Sequence, residues 1–305
     1  MKVALFGGTG FVGSYILAEL LREGYNPRLL VRNESLSKVI EPCKVVNGDI
    51  ENENAVVKTI DGADVVIYNI GIIREFPNKN ITFKKLHYEG LTHCIDIAQR
   101  VGVKRFILMS ANGVKSKGTG YQQTKLQGEE ALIKSGLDWT IFRPSLIFGS
   151  PKLYNQPEFC IQLRDDMLSL PFPAPLFYEG ILPFQAGTFS MSPIHVENIA
   201  EFFVRSITKE DSFKKIYHLG GSDIITWKKI IHYIASASGK LTWKMPAPVI
   251  VPKLIAQLLE HFEWFPVTRD QLTMLLEGNT VEKQYFSDFN IKPIKFEKKN
   301  LSYLM

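Results

Sequence analysis

The sequence predicts an α/β fold, a doubly wound parallel sheet with a smaller C-terminal substrate lobe. Three observations predict it. Apolar runs of strand length alternate with stretches whose apolar residues recur at helical spacing. The runs are continuously apolar, which suits strands buried on both faces. Glycines punctuate the units, and no internal repeat or low-complexity tract interrupts them.

Lys2 to Phe6 reads as the first strand, followed by Gly7-Gly8-Thr9-Gly10-Phe11-Val12-Gly13. Val12, Ile16, Leu17, Leu20 and Leu21 then recur at helical spacing, and Gly24 ends the helix. Pro27 to Val31 is the second strand, and Lys44-Val45-Val46 leads into Gly48-Asp49-Ile50. Ala63 to Tyr68 is a strand ending at Asn69-Ile70-Gly71, and a helix is expected from Leu86 to Arg100. Arg105 to Met109 ends at Ser110, and Trp139 to Phe142 closes with Arg143-Pro144. This alternation requires parallel strands with helices on both faces. Beyond Ser150, Pro171, Pro173, Pro175 and Pro183 break the pattern, and a strand and an apolar helix resume between Met191 and Ile207. Val251, Leu254, Ile255, Leu258, Leu259 and Phe262 form a helical stripe expected to face the core. Lys244, Lys253 and Trp264 beside it keep a membrane surface or partner as the alternative.

The chain has 305 residues, 45% hydrophobic and 22% charged, which excludes a disordered or rod-like architecture. No apolar run reaches the roughly 20 residues of a membrane-spanning helix. The formal charge of +5 shows no long basic block, so nucleic acid is not an expected partner. Cys43, Cys94 and Cys160 are far apart and form no CxxC, consistent with buried thiols in a reducing compartment. Met1-Lys2 runs directly into the first strand without a signal-peptide pattern, so the expected location is cytoplasmic.

Gly7, Gly10 and Gly13 have the spacing GxxGxxG between a strand and a helix. The first glycine permits the tight turn, the second lets backbone approach a pyrophosphate, and the third brings helix against sheet. The helix N-terminus then offers N–H groups to phosphate. The motif in this context predicts a Rossmann-type dinucleotide site drawing on Gly7, Thr9, Gly10, Phe11, Val12 and Gly13. Residues 1–150 are read as the dinucleotide-binding domain and 151–305 as a mixed substrate or partner lobe, with 191–225 returning to the sheet. The second strand ends in Arg32-Asn33 instead of the acid that takes the ribose hydroxyls of NAD. Arg32 can grip a 2′-phosphate, so NADP(H) is preferred, while Glu34 keeps NAD(H) as the alternative. Asp49 and Ile50 are placed at the adenine, and Asn69 and Gly71 beside the cofactor at the end of their strand.

Tyr121 and Lys125 stand four apart on one helix face. A neighbouring ammonium is expected to lower the phenol toward the working pH, and Lys125 can also hold the nicotinamide ribose. Ser110, at the end of the preceding strand, can hold a carbonyl or hydroxyl oxygen beside Tyr121.

Together these residues, with Arg143-Pro144-Ser145-Leu146-Ile147-Phe148-Gly149, resemble the short-chain dehydrogenase/reductase superfamily in its extended and atypical branches. Ser192 to Ala200 and Tyr217-His218-Leu219-Gly220-Gly221 fit the segments that return to the sheet there. A narrower resemblance is to the nucleotide-binding accessory subunit of respiratory complex I and its bacterial and plastid relatives. It is carried by Arg32, by Thr140 to Ser145, by Pro266 to Leu272 and by Leu275-Leu276-Glu277-Gly278-Asn279. That resemblance implies bound NADPH and, for some members, an assembly or stability role on a quinone-linked membrane complex. His87 stands where the superfamily usually has an asparagine that supports a helix kink and a proton path, a departure that argues against fast turnover.

Other constellations are plain. The histidines His87, His93, His195, His218, His232 and His261 form no HxxxH or HExxH, so no metal is expected. Asp165-Asp166 and Glu129-Glu130 read as solvated faces, and no GxSxG serine is present. Phe172, Phe177, Tyr178, Phe184 and Phe189 read as lobe core or as the lining of an apolar cleft. The expected function is NADP(H)-dependent oxidoreduction of a carbonyl or secondary alcohol. The alternatives are a cofactor-stabilised accessory factor peripheral to a respiratory membrane complex, and a sugar-nucleotide epimerase or dehydratase. The sequence names no substrate.

Overall fold

The computed structural model describes residues 1–32, 43–153, 156–180, 182–260, 262, 265 and 267–305. Asn33, Glu34, His261, Trp264 and Pro266 lie outside the described residues. The strands are β1 (Lys2–Phe6), β2 (Asn26–Val31), β3 (Lys44–Asn47), β4 (Val65–Tyr68), β5 (Arg105–Met109) and β6 (Asp138–Pro144). They continue as β7 (Ile147–Phe148), β8 (Ala174–Tyr178), β9 (Ser190–Met191), β10 (Ile194–His195), β11 (Lys215–Leu219), β12 (Ile225–Thr226) and β13 (Lys244–Pro248). The α-helices are α1 (Phe11–Arg22), α2 (Glu53–Ile60), α3 (Gly90–Arg100), α4 (Gly120–Lys134), α5 (Phe159–Leu163), α6 (Val196–Ser206), α7 (Trp227–Ala237), α8 (Ile250–Leu259) and α9 (Arg269–Leu276).

Seven strands form one sheet in the order β11-β6-β5-β4-β1-β2-β3, every pairing parallel. The fold is the Rossmann-like α/β sandwich the sequence predicts. The chain winds outward in both directions from β1, so the carboxyl ends of β1 and β4 flank the switch point where ligands bind in this architecture. One face carries α1 and α6, with Ile16, Leu20, Phe202 and Phe203 fully buried among Phe142, Phe286 and Phe289. The other carries α2, α3 and α4, with Val56, Ile60, Leu91, Cys94, Ala98 and Leu132 packed on Phe6, Tyr68 and Phe106. A third core gathers around Trp227, whose indole N–H donates to Pro175 O at 3.0 Å.

Three expectations are corrected here. The helix from Leu86 does not run uniformly: Lys84–Glu89 is a π-helical turn that opens into α3. The Gly90 N–H reaches back to Lys85 O, and Tyr68 Oη takes the carbonyl thus released, donating to Leu86 O at 2.7 Å. The stripe from Val251 does not face the core: of α8 only Ala256 is buried, while Ile250, Val251, Leu254 and Leu258 are exposed. The aromatic set divides, with Phe177 and Phe189 stacked on Trp227 and Phe172 and Phe184 exposed.

Candidate functional site

The glycine turn is built to the tolerance its chemistry requires. A methyl group on Gly13 would stand 2.0 Å from Gly7 O, and one on Gly7, itself at φ +82°, would stand 2.9 Å from the Asn69 carbonyl. Gly10 N–H donates to Gly7 O at 3.1 Å. Gly10 then caps α1 without any side-chain hydrogen bond, leaving its first amides for an anion. Phe11 and Val12 pack partly into the core behind the turn. Thr9 O accepts from Gln156 Nε2 at 2.9 Å, a strut from the loop after β7 that no sequence motif announces. These features fit a dinucleotide pyrophosphate.

At the neighbouring strand ends, Arg32 and Asp49 face one another, Nε to Oδ2 4.0 Å, with the arginine side chain 66% exposed and open to a further anion. Ile50 is buried against the π-helical turn, where a methyl on Gly90 would meet its Cγ1 at 2.8 Å.

Lys125 reaches the same crevice from α4. Its ammonium donates to Met109 O at 3.0 Å and would lie 3.2 Å from a methyl on Gly71. Burial pushes the lysine down to about 8, against the opposing pull of Glu129. Tyr121 sits edge-on to His87 and Phe83, with ring centroids 5.2 and 5.7 Å away. Burial pushes its phenol up to about 12, which corrects the expectation of a lowered value. Burial, which disfavours the phenolate, is the cause, and the Lys125 ammonium is committed to the Met109 carbonyl.

His87 is buried and neutral, pushed down to about 2 by burial and by the Lys125 charge. Ile72 N–H donates to its Nε2 at 3.2 Å, so the ring proton resides on Nδ1 and donates to Thr124 Oγ1 at 3.2 Å. The threonine hydroxyl donates onward to Gly120 O at 2.8 Å. The imidazole thereby fastens the loop after β4 to the helix that carries Tyr121. Gly128 allows the close approach, since a methyl there would meet His87 O at 2.5 Å.

Ser110 ends β5, its N–H bonded to Phe142 O at 2.8 Å. Its Oγ is buried and has no hydrogen-bond partner among the described residues. A buried hydroxyl without a partner costs free energy, and such groups concentrate where a ligand or water completes them. The loop from Ser110 to Tyr121 is fixed by residues to which the sequence assigned no part in the site. Glu277 accepts from Lys115 Nζ at 2.6 Å and from Gln122 Nε2 at 2.9 Å. Asn112 Oδ1 accepts from His218 Nδ1 at 2.7 Å, and Asn112 Nδ2 donates to Asn279 Oδ1 at 2.7 Å. Glu129 is not solvated: it is buried and paired with Arg143, whose Nε lies 2.9 Å from Oε1. Their partners come from strands and a tail far away in sequence, so spacing carried no signal.

Among the described residues no three His, Cys, Asp or Glu side chains gather as a metal set, and no helix is long and apolar enough to cross a membrane.

Comparison with known proteins places this geometry. Residues 7–156 match the family described as NAD(P)H-binding. The chain is 24% identical over 314 residues to the NADH-ubiquinone oxidoreductase 40 kDa subunit of Neurospora crassa, covering 98% of this chain and 78% of that protein. It is 24% identical over 276 residues to the photosystem II assembly factor Ycf39 of Trieres chinensis, covering 89% and 80%. The fold is that of the UDP-glucuronic acid 4-epimerase of Bacillus cereus solved with NAD, at a TM-score of 0.73 and 16% identity over 99% of this chain and 95% of that one. The family match spans the glycine turn and the Tyr121–Lys125 pair, and the whole chain shares the fold of that NAD-bound epimerase. Its relatives include complex I subunits and a photosystem assembly factor.

Proposed function

We propose that the protein holds NADP(H) in preference to NAD(H) and reduces a carbonyl compound, with Tyr121 as proton donor, Lys125 on the nicotinamide ribose and Ser110 on the substrate oxygen. The observation that carries this is the buried Ser110 hydroxyl, without a partner among the described residues, at the start of a loop fixed by Glu277, His218 and Asn279. Gly7, Thr9, Gly10, Phe11, Val12 and Gly13 would cradle the diphosphate, Arg32 the 2′-phosphate, Asp49 and Ile50 the adenine, and Asn69 and Gly71 the nicotinamide side. The bound coenzyme supplies the hydride. Ser110 Oγ donates to the substrate oxygen and polarises it, and Tyr121 Oη gives that oxygen its proton. A phenol held near 12 carries its proton throughout the neutral range, the form a proton donor needs. In this division of labour residues 1–150 hold coenzyme and 151–305 shape the substrate or partner surface.

The test is NADPH consumption with a panel of aldehydes, ketones and quinones. Tyr121→Phe should lower turnover by about 10²-fold or more, the scale of general acid catalysis, while leaving NADPH affinity unchanged. Loss of affinity together with turnover would contradict the assignment.

A second reading, a coenzyme-stabilised accessory factor peripheral to a respiratory or quinone-linked membrane complex, is favoured by the names of the two relatives. It is also favoured by the weak acidity of Tyr121. A bound dinucleotide would then act by stabilising the fold. Co-purification with such a complex, with no panel compound oxidising NADPH, would select it.

A further inference from the structure

From Ile224 to Leu259 the chain carries five lysines, Lys228, Lys229, Lys240, Lys244 and Lys253, and no acidic residue. The formal charge of the whole chain is +5, so the rest of the molecule is balanced and its excess resides in this stretch. Past α7, which buries Trp227, Ile230 and Ile234 in the third core, the stretch turns its apolar residues outward. Leu241 is 99% and Trp243 81% exposed, and Met245 is exposed on β13, the partner of β8 in a two-stranded sheet. α8 follows with Ile250, Val251, Leu254 and Leu258 outward. Exposed Phe172 lies at the Trp243 end of this surface, because Ala174 N–H donates to Trp243 O at 2.7 Å. Burial and the Lys228 charge lower the Lys244 ammonium, and Lys253 lies 3.5 Å from Glu179 and also within electrostatic reach of Glu277.

We propose that the β13–α8 face seats the protein on an anionic phospholipid bilayer, an inference that rests on the membrane-peripheral reading above. Lysine is depleted from the cores of protein interfaces, where its ammonium must be desolvated. At a bilayer its stem lies along apolar surface while its head stays among phosphates, and tryptophan prefers the same depth. A ten-residue helix is too short to span the hydrocarbon and lies in the interface plane. The face is joined to the coenzyme crevice: Arg74, three residues past Gly71, donates to Glu260 O at 2.9 Å and Phe262 O at 2.7 Å at the end of α8. Seating therefore brings the crevice, through Arg74 and the end of α8, close to the lipid surface.

Flotation of the full chain, with and without NADPH, on vesicles of phosphatidylcholine alone or mixed with phosphatidylglycerol tests this. The protein should float with the anionic vesicles, leave neutral ones and release at high salt. Lys240→Glu with Lys244→Glu, and separately Leu254→Glu with Leu258→Glu, should each weaken partition about tenfold or more. Ile133→Glu, on the exposed side of α4, should leave it unchanged. NADPH affinity should be the same in every variant, so a failure of lipid docking is distinguishable from a failure of the coenzyme reading. Equal flotation on neutral vesicles, none on anionic ones, or a dimer in light scattering that the α8 variant dissolves would overturn the proposal, the last in favour of a second copy of the chain.

Discussion

A methyl group at position 13 would overlap the Gly7 carbonyl, and the two segments it would force apart are the walls of the glycine turn. Gly13→Ala should therefore cost about 1–3 kcal/mol of stability, the scale of an overpacked contact, and abolish the melting shift given by NADPH. Arg32 is exposed and its ion pair among the described residues is with Asp49 at 4.0 Å, so Arg32→Ala should change stability little. It should weaken NADPH by about ten- to a hundredfold in calorimetric titration while NADH affinity stays level. His87 supplies a pH signature. Its folded value, about 2, lies far below its ordinary 6.5, so the unfolded chain binds the extra proton first. Its contribution to stability is full above about pH 6.5 and falls as pH drops, by about 1.4 kcal/mol per unit. His87→Asn should flatten that slope in urea unfolding at pH 5 and 7; an unchanged slope would assign it to other groups. The glycines were legible in sequence because their constraint is local and steric. The acidity of Tyr121 was not, because it follows from burial that only the packed fold creates.

At the scale of elements, periodicity identified helices but not what covers them. The α8 stripe has the spacing of a core helix and faces outward, since spacing records that apolar residues share a face and not where that face points. The π-helical turn was equally hidden: it depends on Tyr68, eighteen residues away, taking a carbonyl from the ladder. Glu129 looked like one of two surface acids until α4 brought it onto Arg143 of β6. Breaking that pair with Glu129→Ala should lower stability by about 3–5 kcal/mol in denaturant titration, the cost of stranding a buried charge partner. Glu277→Ala should act differently. It frees the exposed Lys115, while the buried Gln122 keeps its bonds to Thr119 N–H and Gly113 O, so stability should change little while the Ser110 loop loosens and turnover falls with NADPH affinity intact.

For the whole molecule, the alternation of strands and helices was enough to give the sheet, because short apolar runs and crossovers leave one economical topology. The second half completes the first, the part that the expected return of 191–225 to the sheet describes. β11 forms an edge of the main sheet beside β6, and α6 covers one face with Phe202 and Phe203. A fragment of residues 1–150 should therefore fail to fold alone, showing little chemical-shift dispersion by NMR, although it contains nearly all of the coenzyme-binding segment. The most direct measurement for the whole account is calorimetric titration of the intact protein with NADPH and NADH, paired with thermal melts. Saturating NADPH, at about a hundred times its dissociation constant, should add about 2.7 kcal/mol to the folded state and raise the melting temperature, with NADH weaker. Neither heat nor a melting shift with either coenzyme would contradict it.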